Sequence, residues 1–530
     1  MVYSLEASSS SFKINTILLL SVLCGVTWFA IDAFVLPPGF GGTDIYYFKD
    51  AGINFSEGLG FVSRFTFGNP TFEYQPYSQY PPIYPLLFGV FVKLFGTSAL
   101  TNQIFNSLLS FFLGVTASLA LKPVTFGWPP RFAPHILAAI FVVAVFAAFF
   151  FPEGDRPDGL GVCFGLLALI VLNQGATRKR ELAAGAFCAV AWFTSPFAGI
   201  WASIAVMLVI FARQSQKGGP RQIALPLCFA AGGALAVMII LGAAIAALLP
   251  GWFPAFFGVL TGTTTHNETG GGYFLALLKG DIKTWASGFP LGFSGFYVGL
   301  AKLLAVGGSL AGALVWARFR FGSSWHGWLI AALLAASPLC LITSPYQVNY
   351  PPMTAALLLA AAASLTLGMP PVPRRHFAAA TGVGFALLSL LSIPYKSREV
   401  ILRAGTRPSL ERALDSINRD RTAIGSSGGF LAVSPTAYMV WRQAGIRPLI
   451  AIYSGFDKPE NRKSLAYLAL SYPGSHNAFE PQKPDWLSDE QYRLVSRPDL
   501  PQLAMVFGRV ISTSSQTWES AIYVARREAN

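Results

Sequence analysis

The sequence predicts a polytopic α-helical membrane protein of about 11 spanning helices, followed by a soluble α/β domain. Three observations carry this. The 530 residues are 53% hydrophobic and only 12% charged, with a mean hydropathy of +0.51; soluble domains carry about 25% charged residues. Apolar runs close to the roughly 20 residues needed to cross a bilayer recur along the chain. Basic clusters separate those runs, and the positive-inside rule can place all of them on one side.

The first run, Thr16–Val35, follows Lys13 and has no clear small-residue cleavage site, so it reads as a retained membrane helix rather than a removed signal peptide. Pro37 and Pro38 end it, and a polar, aromatic loop over 37–82 follows. Tyr84–Leu94 is too short to span and reads as an interfacial helix. Phe105–Leu121 spans to Lys122 and Arg131, and Ala133–Phe151 returns to an acidic turn, Glu153–Gly159. Leu160–Asn173 comes back to the Arg178–Arg180 run. Leu182–Ala212 is broken at Thr194-Ser195-Pro196 and has basic residues at both ends, so it must enter and leave by one face, as a hairpin of two short helices. Ile223–Leu249 leads out to a Gly/Thr-rich loop over 250–295. Phe296–Trp316, Trp328–Ile342, Met353–Leu367 and Phe377–Ile393 complete the set, with a short turn between Ser344 and Pro352. The N-terminus is then cytoplasmic, and the acidic and aromatic loops share the outer face with the tail.

Residues 1–393 form the membrane module and 394–530 the soluble extracytoplasmic domain, where charged residues become common again. Phe430–Ser434 and Pro448–Tyr453 read as strands, and Thr436–Gln443 and Arg462–Leu470 as helices. The net charge of +13 sits in loops and at lipid headgroups. No basic soluble face suggests nucleic acid as a partner. The cysteines at 24, 163, 188, 228 and 340 lie in apolar runs without CxxC spacing and read as small packing residues.

The outer loops supply the candidates for chemistry. Asp44 stands at a membrane boundary, with Tyr46, Tyr47 and Phe48 after it, where an acid costs free energy unless solvated or used. It is the candidate general base; the bland reading is a turn acid. In the second loop, Asp155 or Asp158 would be a second site acid and Arg156 a phosphate ligand, against helix capping by Asp158 and simple ion pairing by Arg156. His266 and Lys283 of the loop 250–295 could meet a phosphate, and Gln347 and Tyr350 could meet sugar hydroxyls and rings. No DxD, HExxH or histidine cluster indicates a metal, and no other cofactor is indicated.

Five segments together resemble the GT-C superfamily of polytopic glycosyltransferases: GGTDIYYFKDAG (41–52), YPPIYPLLFGVFVKLFG (80–96), RPDGLGVCFGLLAL (156–169), AWFTSPFAGI (191–200) and NYPPMTAALLLAAA (349–362). The similarity is to the branch of protein O-mannosyltransferases, aminoarabinose transferases of lipid A and lipopolysaccharide galacturonosyltransferases, and covers residues 15–393. The resemblance implies a polyprenyl-phosphate sugar donor and a glycan, lipid or protein acceptor, in a cell-envelope protein of a bacterial inner membrane. It implies that Asp44 is the first-loop catalytic acid and Asp158 the acid that opens the fourth spanning helix. Tyr80 and Tyr84 would lie in the segment that holds the lipid phosphate. Two departures stand out: Ser195 occupies a segment where many members have Lys or Arg, and Asp44 lacks the paired acid of metal-using members. With no second carboxylate placed as nucleophile, inversion is expected. The rival expectation is a transporter or flippase of a lipid-linked sugar.

Overall fold

The computed structural model describes residues 45–64, 73–78, 80–125, 156–215, 220–261, 350–365, 367, 430–433, 438–450, 465–471, 492–496, 504–506, 509–511 and 520–525, and scattered positions between 19 and 30. The expected spans at 133–151, 296–316, 328–342 and 377–393, and most of 16–35, lie outside the described residues. The helices are α1 (Ile45–Ser56), α2 (Ile83–Phe95), α3 (Ala99–Ala120), α4 (Asp158–Asn173), α5 (Arg178–Thr194), α6 (Pro196–Ser215), α7 (Pro220–Leu248), α8 (Trp252–Thr261), α9 (Tyr350–Leu365) and α10 (Tyr438–Gln443). Among them, Ala99–Ala120, Pro196–Gln214 and Pro220–Leu248 are long and apolar enough to cross a membrane.

Local chemistry sets the breaks. Ser98 caps α3 by accepting from the Thr101 N–H at 2.9 Å. Pro196 drives the residue before it out of the helical region, so Ser195 is extended (φ −145°, ψ 117°), and α5 stops there. Pro196 then opens α6, where its missing N–H costs nothing. The hairpin reading of 182–212 therefore stands, with one correction. Its second arm is not short, because the apolar run continues to Gln214 and is long enough to cross.

The helices α4, α6 and α9 run parallel. Near their C-terminal ends, the Arg213 guanidinium donates to Leu172 O (2.8 Å), Asn173 Oδ1 (2.7 Å) and Ser364 O (2.9 Å), stapling all three. Half-way along, the missing side chain of Gly165 admits Ala202 and Leu357, and a Cβ there would lie 2.9 Å from each. Near the start, Gly161 faces Ala198 and Ser195. The N-termini of α4 and α6 thus meet at the end opposite Arg213, with that of α9 at the same end. Pairs α5 and α7 close up through Gly185 against Ala230 and Gly233 against Leu182, the small-residue contact that membrane helices use. Outward faces of α7 expose Leu235, Ile239, Ile240 and Leu248, as a lipid-facing helix would.

The loop 37–82 is not plain loop. It contains α1 and a two-stranded antiparallel ribbon, β1 (Val62–Ser63) with β2 (Gln75–Pro76). Helix α1 exists because its neighbours bury it: Phe48, Ala51 and Ile53 are buried, and Gly52 lies so close to α2 that a Cβ would meet Pro85 O at 2.1 Å. Residues 250–295 likewise begin as helix, α8, whose Trp252 stacks on Phe256 at 4.6 Å. These two rings pack with Ala51, Phe61 and Tyr77 of the first loop and with Phe193, Ile245 and Leu249. The first loop therefore sits on the C-terminal ends of α5 and α7 and on α8.

In the tail, β3 (Phe430–Val433), α10 and β4 (Leu449–Ile450) form a parallel strand–helix–strand unit. The five-stranded mixed sheet has the order β4-β3-β5-β9-β6, with β5 at Leu465–Ser471, β6 at Tyr492–Ser496 and β9 at Ser520–Ala525. A hairpin of β7 (Ala504–Val506) and β8 (Arg509–Ile511) stands apart from it. The expected helix at Arg462–Leu470 is strand β5 instead. Its Leu and Ala residues favour helix locally, but pairing with β3 on one side and β9 on the other overrides that preference.

Candidate functional site

A buried ion pair stands at the start of α4. Asp158 Oδ2 accepts from Arg156 Nε at 2.9 Å, and Asp158 Oδ1 accepts from Ser195 Oγ at 2.6 Å. Asp158 is 1% exposed, Arg156 9% and Ser195 0%. Pro157 precedes the helix and Asp158 makes no side-chain cap, so the capping reading is corrected: the carboxylate faces Arg156 and Ser195 instead. Both of its oxygens are engaged. Ser195 reaches it because Pro196 forces the extended kink at the top of the hairpin. A serine at this position has a job here: it orients the acid that holds Arg156.

The Arg156 guanidinium lies over the Phe48 ring, 5.2 Å from its centroid. Phe48 in turn meets Tyr80 edge-on at 4.7 Å. Thus the second loop, the hairpin kink and the first loop converge on one cation. Tyr80 belongs to this cluster. Tyr84, in the first turn of α2, is fully buried, edge-on to Phe105 and with the Lys49 ammonium 5.8 Å from its ring centroid.

Lys49 escaped the sequence reading because a charged residue in a loop reads as solvated. It is fully buried, donating to Asn102 Oδ1 (2.5 Å) and Asn106 Oδ1 (2.7 Å) of α3. Its ammonium sits 4.7 Å from the Phe88 ring centroid and 5.3 Å from that of Phe105. This environment pins α1 to α3. Desolvated cation–π contacts of this kind are worth about 2 kcal/mol or more.

A second polar node was also missed. Asp50, 2% exposed, accepts from Ser63 Oγ (2.7 Å) and Asn54 Nδ2 (2.9 Å), and from the hydroxyl of Tyr438 on α10. Arg442 of the same helix donates to Asn54 Oδ1 (3.1 Å) and Glu57 Oε1 (2.9 Å), and Arg447 reaches Glu57 Oε2. Gln443 Oε1 accepts from the backbone N–H of Ala99 at the head of α3. Burial pushes the Asp50 carboxyl above its ordinary range, opposed by the Arg442 charge and by hydrogen bonds from Tyr438, Ser63 and Asn54. Burial likewise raises the Tyr438 phenol. The signal available in the sequence was the polar stripe Asp50, Asn54, Glu57, spaced i, i+4, i+7 on an otherwise apolar segment.

Of the other expected site residues, Asp44, Asp155, His266, Lys283 and Gln347 lie outside the described residues, and Tyr350 is described only as the backbone that opens α9. Among the described residues, no group of three or more His, Cys, Asp or Glu side chains is arranged to hold a metal ion.

No family model matches the chain, and no curated protein sequence matches it. Among solved structures it is similar to the oligosaccharyltransferase of Archaeoglobus fulgidus. The apo form matches with a TM-score of 0.44 at 12% identity, over 86% of this chain and 69% of that one. The same enzyme tethered to an acceptor peptide containing the NVT sequon gives 0.45 at 12%, over 87% and 69%. The archaeal AglB in complex with an inhibitory peptide and a dolichol-phosphate gives 0.40 at 13%, over 87% and 70%. Likeness at this level assigns no function to the chain, whose chemistry has to come from its own residues.

Proposed function

We propose that this protein is an integral membrane glycosyltransferase that moves a sugar from a polyprenyl-phosphate donor to a hydroxyl of an extracytoplasmic lipid, polysaccharide or protein. The observation that supports it most is Arg156, held by Asp158 and Ser195 where three outer segments converge. A guanidinium fixed in plane at the end of a membrane helix suits a lipid phosphate, because bidentate contact needs that planarity. Phe48 and Tyr80 offer aromatic surface beside it. On this reading, Asp158 acts by positioning Arg156.

Asp44 stands one residue before α1 in the sequence and is assigned the general base. It takes the proton of the acceptor hydroxyl as that oxygen bonds to the anomeric carbon. The bond from that carbon to the phosphate oxygen breaks, and polyprenyl phosphate leaves with the electron pair, its charge met by Arg156. One displacement inverts the anomeric centre. His266, Lys283, Gln347 and Tyr350 are assigned to donor and acceptor contacts.

The test compares surface glycans by mass spectrometry in a deletion strain, the deletion carrying wild type, and the deletion carrying Asp44→Asn. Loss of a base costs about 10²–10⁴-fold. A sugar absent from the deletion and the Asn strain but restored by wild type is the expected result. Equal restoration by the Asn variant overturns the assignment of Asp44. Flipping of labelled lipid-linked sugar by that variant would favour a transporter.

A further inference from the structure

Helix α1 is held from three directions. Gly52 and Gly89 bring it into backbone contact with α2, and a Cβ on Gly89 would meet Gly52 O at 2.5 Å. Lys49 ties it to α3 through Asn102 and Asn106. The third direction is the tail, 388 residues away in sequence, through Tyr438 on Asp50 and Arg442 on Asn54. Successive helical residues are rotated by about 100°, so Asp50, Asn54 and Glu57 share one stripe, while Phe48 points elsewhere, to Arg156. Rotation of α1 about its axis is therefore set by contacts on three sides. One of these belongs to another domain.

The tail contact is made of oriented polar groups rather than grease. Asp50 accepts three hydrogen bonds, from the helix itself, from the ribbon at Ser63 and from Tyr438. Asn54 donates to Asp50 and to Val62 O (2.8 Å) while accepting from Arg442. Removing one donor leaves buried acceptors whose other bonds persist but whose geometry is no longer fixed from outside. Such networks specify a single arrangement more than they add net stability.

We propose that Tyr438 and Arg442 are positioning residues for the transfer reaction: the outer domain clamps α1 in the one rotation that keeps Phe48 against Arg156. The inference rests on the glycosyltransferase reading above and adds to it a role for the tail. A displacement of about 1 Å in a reacting geometry costs on the order of 10²-fold. Tyr438→Phe, which removes one hydroxyl, should lower transfer about tenfold, and Tyr438→Phe with Arg442→Gln about 100-fold.

The experiment uses the purified full chain in nanodiscs, with undecaprenyl phosphate as the binding probe, alongside the surface-glycan readout in cells. The expected result is a split. The two variants bind undecaprenyl phosphate within about twofold of wild type and keep the wild-type thermal midpoint within a few degrees, yet transfer falls. Restoring Arg442 as Lys, which keeps the charge but not the fork, should recover only part of the loss. Transfer at the wild-type rate in both variants overturns the clamp. Loss of probe binding and transfer together, with a lowered midpoint, also overturns it, because the contact is then merely structural. If wild type itself neither binds the probe nor transfers sugar, the glycosyltransferase reading fails, an outcome distinct from both.

Discussion

Asp158 and Arg156 should behave as a unit, and the structure sets the size of the effect. Their side chains are 1% and 10% exposed and their contact is 2.9 Å. Breaking such a buried pair by neutralising one member costs about 3–5 kcal/mol, because the other charge stays buried without it. Asp158→Asn and Arg156→Gln should each cost about that much, and the double variant much less than their sum. A whole-chain thermal midpoint does not say where the structure opens. Local opening can be read instead from two native thiols, Cys163 on α4 and Cys188 on α5, which are buried beneath the pair, while Cys228 is exposed. With Cys24, Cys228 and Cys340 replaced by serine, labelling of the remaining thiols by a maleimide dye reports opening of the α4–α5 packet. At about 1.4 kcal/mol per decade, each single variant should label about 10²–10⁴ times faster than wild type. The double variant should lie within about tenfold of wild type. If the double labels at the product of the two single effects, the residues are independent and the pair does not hold Arg156.

Three further outcomes follow from the packing. Gly52→Ala places a Cβ 2.1 Å from Pro85 O, a backbone atom that cannot swing aside, so α1 must shift; a loss of about 1–3 kcal/mol or more and a lower thermal midpoint are expected, and an unchanged midpoint would contradict the close crossing. Arg213→Ala removes three charge-assisted bonds to the ends of α4 and α9, each worth about 1.5–3 kcal/mol, and should raise thiol labelling as strongly as the Asp158 variants do. Asp50 gives a pH dependence. Its folded pKa is raised, mainly by burial, so its contribution is full below the ordinary carboxylate pKa and is lost as pH rises through the raised value. Wild type should therefore lose more midpoint than Asp50→Asn as pH climbs from 5 to 8; parallel curves would mean that Asp50 is ionised throughout.

What could be read from the sequence was whatever a local rule controls. The kink at Ser195 was legible because Pro196 dictates it, and the basic residues at Arg178–Arg180 and Arg213 marked where the hairpin arms end. Helix α1 was not legible. Its segment carries Lys49, Asp50, Gly52 and Asn54 and has no long apolar run, and it is helical because α2, α3 and α10 bury it from three sides. Strand β5 was misread for a related reason, since its Leu and Ala residues favour helix until two neighbouring strands claim them. Arg156 and Asp158 were found as a charged pair near a helix start, but their partner Ser195 lies 37 residues away. Lys49 and Asp50 were invisible as buried groups because nothing local says that the first will be covered by α3, 53 residues on, and the second by a helix 388 residues on.

The staple at Arg213 has an electrical consequence. Because it gathers the C-terminal ends of α4, α6 and α9, it fixes these three helices head to head, and their N-terminal ends share the opposite face. Each aligned helix presents the equivalent of about half a positive charge at that end. The end of the bundle opposite Arg213 is thus biased towards anions by its backbone as well as by Arg156. The partial charge resides on the N–H groups of each first turn, which have no partner within the helix, so the bias is built into the packing and is strongest close to the helix ends.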